Sequence, residues 1–210
     1  MLGLLVLVAC VPGYEGRKGG QTIAILGDSI STDASAGNAI RDALRRTYRV
    51  SISAVSGRRI GEAQENAVDY ASRQFETPPD QVVINLGTND AWKAITEGWN
   101  LRKSYKHYDA MIRTLWGAKC IHLVTVNAQM EGEGEFPGAY NAHARAINTF
   151  IRSRADAYPK VRKIDWNRAV RDYRSAGEPY GPLFIDQIHP NELGQSALAK
   201  LIRDSVDGCR

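Results

Sequence analysis

Five short stretches of the chain are rich in β-branched and aliphatic residues: TIAIL from Thr22, RVSISAV from Arg49, QVVINLG from Gln81, CIHLVTV from Cys120 and VRKIDW from Val161. Each has the length of a strand and is too short for a buried helix. Between them, apolar positions recur at helical spacing over Ala39–Tyr48, Glu62–Gln74, Asn100–Trp116 and Tyr140–Ala157. In the first of these, Ile40, Ala43, Leu44 and Tyr48 share a face that Arg41 and Arg45 avoid. Strands and helices in alternation, closed by a last helix, predict a parallel sheet covered on both faces. Right-handed crossovers bring the C-terminal ends of all the strands to one rim, where a site is expected.

Polar blocks stand at that rim. Gly27-Asp28-Ser29-Ile30 follows the first strand, Ser56-Gly57-Arg58-Arg59 the second and Gly87-Thr88-Asn89-Asp90 the third, while Asp186-Gln187-Ile188-His189-Pro190 precedes the last helix. Taken singly they have ordinary readings: a helix cap, an Asx turn, a polar loop. Taken together and in this order, they resemble the SGNH, or GDSL-type, esterases and acyltransferases. GTND fits the family's G-x-N-D block and DQIH its D-x-x-H block; Ile30 stands where many members carry leucine. The resemblance implies a three-layer, flavodoxin-like α/β sandwich. Its sheet would have five parallel strands in the order 2-1-3-4-5, with helices on both faces.

The residue types explain the spacing. A serine hydroxyl is a poor nucleophile until a base takes its proton, and neutral imidazole is available near pH 7. Ser29 is the candidate nucleophile and His189 the candidate base, with Asp186, three residues earlier, holding the other ring nitrogen. Ser29 is expected at the mouth of a helix, with the helix's positive end behind it. The resemblance adds an oxyanion hole made of the Ser29 and Gly57 N–H groups and the Asn89 side-chain amide. No G-x-S-x-G elbow is present, so the ordinary α/β-hydrolase reading fails. His107, His122 and His143 have no partner at ligand spacing, and no phosphate-binding loop occurs; neither metal nor cofactor is expected.

Composition adds limits. The chain has 210 residues, 43% hydrophobic and 24% charged, enough for one well-buried domain. A net charge of +4 with scattered basic residues gives no nucleic-acid footprint, and a monomer is expected. Residues 1–20 read as a separate export segment and flexible linker, with the enzyme domain over 21–210. The apolar start is too short to span a bilayer, and Leu7-Val8-Ala9-Cys10 resembles a bacterial lipobox, which would anchor the chain through lipid on Cys10 at the cell envelope. A loose apolar tail on a cytoplasmic protein is the alternative. Cys120 and Cys209 should both lie at the bottom of the domain, either bridged or as buried thiols.

The substrate is the least legible feature. GDS, GRR, GTND, VTVNAQ and KIDWNRAV look most like SGNH domains that act on cell-envelope polysaccharide, which implies a short acyl, chiefly acetyl, ester of a glycan or another small ester. Trp92 could stack on a sugar ring and Arg58 or Arg59 could meet a carbonyl or carboxylate; the alternative is that Trp92 caps the core and the arginines face solvent. MEGEGEF, Met130 to Phe136, overhangs the rim, either as an acidic lid that would disfavour strongly anionic substrates or as a solvated acidic loop with no role. A lipid esterase of lysophospholipase or thioesterase type, and a non-catalytic glycan-binding module, are the competing readings.

Overall fold

The computed structural model describes residues 13–61, 66–75, 77–174 and 181–209. The strands are β1 (Glu15–Gly16), β2 (Thr22–Gly27), β3 (Arg49–Ala54), β4 (Gln81–Asn85), β5 (Cys120–Val124) and β6 (Val161–Ile164). The helices are α1 (Gly37–Leu44), α2 (Ala67–Gln74), α3 (Thr88–Thr96), α4 (Leu101–Thr114), α5 (Glu135–Ala157), α6 (Trp166–Tyr173) and α7 (Glu192–Asp207). They build one sheet in the order β1-β3-β2-β4-β5-β6. Strands β3-β2-β4-β5-β6 are all parallel and carry the expected 2-1-3-4-5 order.

The sheet has six strands rather than five. Glu15 and Gly16, in the stretch read as a linker, pair antiparallel with Val50 and Arg49 at the β3 edge. Backbone groups hold the pairing: the next residue, Arg17, donates its N–H to the carbonyls of Arg45 at 3.0 Å and Tyr48 at 3.1 Å. A two-residue strand held this way leaves no hydrophobic pattern to read. Cys10 and its neighbours lie outside the described residues. No helix among the described residues is long and apolar enough to cross a membrane.

Alternation along the strands divides the core in two, because successive side chains leave opposite faces. Ile23, Ile25, Val50, Val83, Val124 and Ile164 pack under α1, α6 and α7. Ala24, Leu26, Val82, Ile84, Ile121 and Leu123 pack under α2, α3, α4 and α5. Helix α5 begins five residues before the expected Tyr140, taking up the end of the acidic stretch. The short helices α3 and α6 go beyond the sequence pattern, since their residues read as a turn motif and a strand extension.

At the opposite end from the rim, Cys120 and Cys209 are joined in a disulfide with Cα atoms 6.3 Å apart. Tying residues 89 apart stabilises the fold by about 4 to 5 kcal/mol on chain-entropy grounds. His122 is wholly buried beside this bridge. Its Nδ1 lies 2.8 Å from Ser205 Oγ and its Nε2 lies 3.0 Å from Gln81 Oε1. A hydroxyl donor on one side and a carbonyl acceptor on the other suit the neutral ring with its proton on Nε2. Burial, helped by the Arg162 charge, pushes the His122 pKa down from 6.5 to about 4.

The unfolded chain therefore binds the His122 proton before the folded one does. The contribution is fully present above pH 6.5 and is lost as pH falls toward 4, by about 3 kcal/mol. Denaturant titrations between pH 7 and pH 4 should show wild type losing that much more stability than His122→Gln. Comparing the two cancels the carboxylates they share, and parallel pH curves would contradict this account of His122.

Candidate active site

Strand β2 ends at Gly27, and the chain turns back so sharply that a β-carbon there would collide with the Ser31 side chain. Ser31 Oγ accepts from Asn85 Nδ2 of β4 at 2.9 Å, which pins the turn across the sheet. Residues Ser29–Ser31 form a single 3-10 turn capped by Asp28, whose Oδ1 accepts from the Ile30 N–H at 3.0 Å. Ser29 opens this 3-10 turn rather than the helix expected after the first strand: α1 starts only at Gly37. Any positive field at Ser29 comes from that one turn of backbone N–H groups rather than from a helix macrodipole.

The fourth block closes over this turn. Residues Phe184 and Pro190 form an antiparallel bridge, and Ile185 N–H donates to the His189 carbonyl at 2.9 Å, so the intervening loop is tight. Inside it, Asp186 Oδ1 accepts from the N–H groups of Ile188 at 2.7 Å and His189 at 2.6 Å. Asp186 Oδ2 faces His189 Nδ1 at 2.8 Å, and His189 Nε2 lies 3.0 Å from Ser29 Oγ. Partial burial pushes the Asp186 carboxyl up, but the His189 amide and ring and the Ile188 amide outweigh it and hold the pKa below the ordinary carboxylate value. An ionised Asp186 can keep the His189 proton on Nδ1 and leave Nε2 able to accept from Ser29.

The second and third blocks meet beside Ser29. Val55 to Arg58 make a tight turn, Arg58 N–H to Val55 carbonyl 3.0 Å, with Gly57 at φ +75°. Only glycine takes that conformation without strain. Asn89, on the first turn of α3, donates Nδ2 to the Arg58 carbonyl at 3.2 Å and approaches Asp28 Oδ2 at 3.4 Å. Asp28 is wholly buried, and its pKa is pushed up to about 7, first by burial and then by the Asp90 charge, against the Ile30 amide and His189.

Ser29, Asn89, Asp186 and His189 line a cleft of about 720 Å³. Gly57 is exposed and is not among the lining residues. Trp92 is, with its ring edge-on to Phe136 at 4.6 Å. Arg58 departs from expectation: its side chain is buried, and Nη1 donates to the Ser53 carbonyl at 2.7 Å and Ser53 Oγ at 3.1 Å, with the Gly27 carbonyl at 3.5 Å. It ties the ends of β2 and β3 together from below and does not reach the cleft. A carbonyl oxygen has two lone pairs, so those of Ser53 and Gly27 at the sheet rim can accept a buried guanidinium, the Gly27 oxygen while it also accepts from the Val55 N–H at 3.2 Å.

The apolar part of the wall is Met130, Phe136, Pro137 and Ile188; the sequence puts the Met130–Phe136 stretch over the rim but does not mark its apolar residues as lining. Two asparagines of α5, seven residues apart and so on one face, set that wall. Asn148 exchanges hydrogen bonds with the backbone of Val126, both at 2.7 Å, and Asn141 with that of Met130, at 2.8 and 2.9 Å. Asparagines at that spacing, facing a strand end, are the available signal. The acidic stretch is divided in role: Glu131 pairs with Arg174, Glu133 lines the cleft and Glu135 opens α5.

A serine, an imidazole and a carboxylate in hydrogen-bonded series now stand beside an amide donor, at the carboxyl rim of a parallel sheet. The sequence profile of the GDSL-like lipase/acylhydrolase family matches residues 25–197, a span that includes all four blocks. The chain belongs to that family. It is an SGNH-type enzyme, an ester hydrolase or acyltransferase. A search of curated protein sequences finds no match.

Solved structures of this fold include an acetyl xylan esterase, AlAXEase, at 20% identity and TM-score 0.69, covering 88% of this chain and 99% of that one. The C-terminal catalytic domain of peptidoglycan O-acetyltransferase A from Streptococcus pneumoniae, which carries a methylsulfonyl adduct, aligns at 20% identity and TM-score 0.59 over 90% of this chain and 92% of that one. A catalytic mutant of the acetylxylan esterase Axe2 from Geobacillus stearothermophilus aligns at 15% identity and TM-score 0.61 over 92% of this chain and 97% of that one.

Proposed function

We propose that this GDSL-family enzyme removes or transfers a short acyl group, chiefly acetyl, from an ester of a glycan or another small alcohol. The observation that carries the chemistry is the series Asp186 Oδ2, His189, Ser29 Oγ, at 2.8 and 3.0 Å. His189 Nε2 takes the Ser29 proton as Oγ attacks the ester carbonyl carbon. Asp186 holds the resulting imidazolium in place, and the ring then returns the proton to the departing alcohol oxygen. Water attacks the acyl-Ser29 ester by the same path in reverse, or a sugar hydroxyl does so in a transfer. The carbonyl oxygen becomes an oxyanion that the Ser29 and Gly57 N–H groups and Asn89 Nδ2 stabilise.

The cleft's chemistry supports an uncharged substrate. Among the described residues, Asp186 and Glu133 line it and no lysine or arginine does. Trp92 and Phe136 offer ring surface for a pyranose, and solved structures of the same fold include acetyl xylan esterases and a peptidoglycan O-acetyltransferase. The apolar wall of Met130, Phe136, Pro137 and Ile188 favours one second reading, a lipid esterase with a longer acyl chain. The disulfide suits an oxidising compartment, and Cys10 is the residue at which an exported chain would carry lipid.

Ser29→Ala should lower kcat on p-nitrophenyl acetate by about 10³-fold or more, and Asn89→Ala by about 10²-fold. An unchanged rate in Ser29→Ala would eliminate the mechanism. Across p-nitrophenyl esters from acetate to decanoate, kcat/KM should fall with chain length, and a maximum at octanoate or beyond would favour the lipid esterase. For the anchor, the full chain expressed in a bacterium should partition with membranes through Cys10; a Cys10→Ser chain that partitions equally would refute it.

A further inference from the structure

Asn89 and Asp90 are consecutive on the first turn of α3, and both grip the short loop that follows β3. Asn89 Nδ2 donates to the Arg58 carbonyl at 3.2 Å, and Asp90 Oδ2 accepts from the Ile60 N–H at 3.3 Å. Asp90 Oδ1 accepts from Ser104 Oγ of α4 at 2.6 Å, and that hydroxyl accepts from Trp99 Nε1 at 2.8 Å. Asp90 is wholly buried. The series from Asp186 to Ser29 does not use it, yet a buried carboxylate costs more than an apolar side chain of its size unless its bonds matter.

The geometry points to Asp90 as a positioning residue, one that fixes the loop whose Arg58 carbonyl orients the Asn89 amide toward the cleft. A side-chain amide has two hydrogens and a broad, soft terminal torsion. One hydrogen is held by the Arg58 carbonyl at 3.2 Å; the other faces Asp28 Oδ2 at a longer 3.4 Å, the weaker of the two contacts and the one a developing oxyanion would replace. Arg58 is otherwise held by its N–H to Val55 and its guanidinium to Ser53, so releasing the Ile60 N–H frees the far side of the turn and lets the Arg58 carbonyl, and with it the angle of the Asn89 amide, shift. The ground-state ester does not need that angle, but the tetrahedral oxygen does. Loss of Asp90 should therefore lower kcat and spare KM. This inference rests on the oxyanion role proposed for Asn89.

The test is steady-state kinetics on p-nitrophenyl acetate at a temperature well below each protein's unfolding midpoint. Asp90→Ala should lose about 10- to 100-fold in kcat with KM within about twofold. Asp90→Asn should stay within about fivefold of wild type, because its carbonyl can accept from Ile60 and its amide can donate to Ser104 Oγ. In an Asn89→Ala background the Asp90→Ala loss should nearly vanish, since residues acting through one group are not additive. Fully additive losses, with Asn89→Ala itself impaired, would overturn the role of Asp90 and leave the oxyanion reading intact. An Asn89→Ala enzyme with undiminished kcat would overturn both. Should Asp90→Ala not fold, Ser104→Ala removes one of the two anchors and should cost about 3- to 10-fold in kcat, again only while Asn89 is present; an unchanged kcat would count against the proposal.

Discussion

A hydrogen-bond contact of 3.0 Å between His189 Nε2 and Ser29 Oγ joins residues 160 apart in the chain, and much of the structure serves to hold its two ends still. One end is fixed by β2, wholly buried from Ile23 to Leu26, and by the collapse of the chain over Gly27. The other is fixed by the bridge between Phe184 and Pro190 and by the two N–H groups that Asp186 collects. A parallel sheet makes the meeting possible because every crossover returns to the same rim.

Energetically, the site gathers more buried carboxylate than a stable core would choose. Asp28 and Asp90 are both wholly buried, each pushed up in pKa chiefly by burial. Each of their four oxygens has a donor within hydrogen-bonding reach: Ile30 N–H and Asn89 Nδ2 for Asp28, Ser104 Oγ and Ile60 N–H for Asp90. Those donors belong to the 3-10 turn, the loop after β3 and the helices α3 and α4, the parts that surround Ser29. Stability at the opposite end of the sheet, from the Cys120–Cys209 bridge and the packed core around it, offsets this cost far from the cleft.

Much of this is legible in the sequence because it depends on period and punctuation. Buried runs such as QVVIN and CIHLV can be read directly, and all four polar blocks fall at predicted strand or helix ends. What escapes depends on contacts that no local pattern records. Strand β1 is two residues held by backbone pairing, with an ion pair from Glu15 to Arg41 at 3.6 Å. Helix α3 begins inside the GTND block, so its first turn reads as a loop. Arg58 is expected in the cleft because a guanidinium there could meet a carbonyl or carboxylate; it is buried because it donates instead to the carbonyls of Ser53 and Gly27. Met130 and Phe136 are hidden in a stretch whose glutamates dominate the reading. Their place in the wall is set by α5, through Asn141 in the case of Met130.

The central claim is that Ser29 is made nucleophilic by His189. It is tested most directly by the site and rate of covalent modification with phenylmethylsulfonyl fluoride, followed by mass spectrometry of the digested protein. The account predicts one adduct, on the peptide containing Ser29, formed at least about a hundredfold more slowly in His189→Ala. Modification at another serine, or an equal rate at Ser29 without the imidazole, would contradict it.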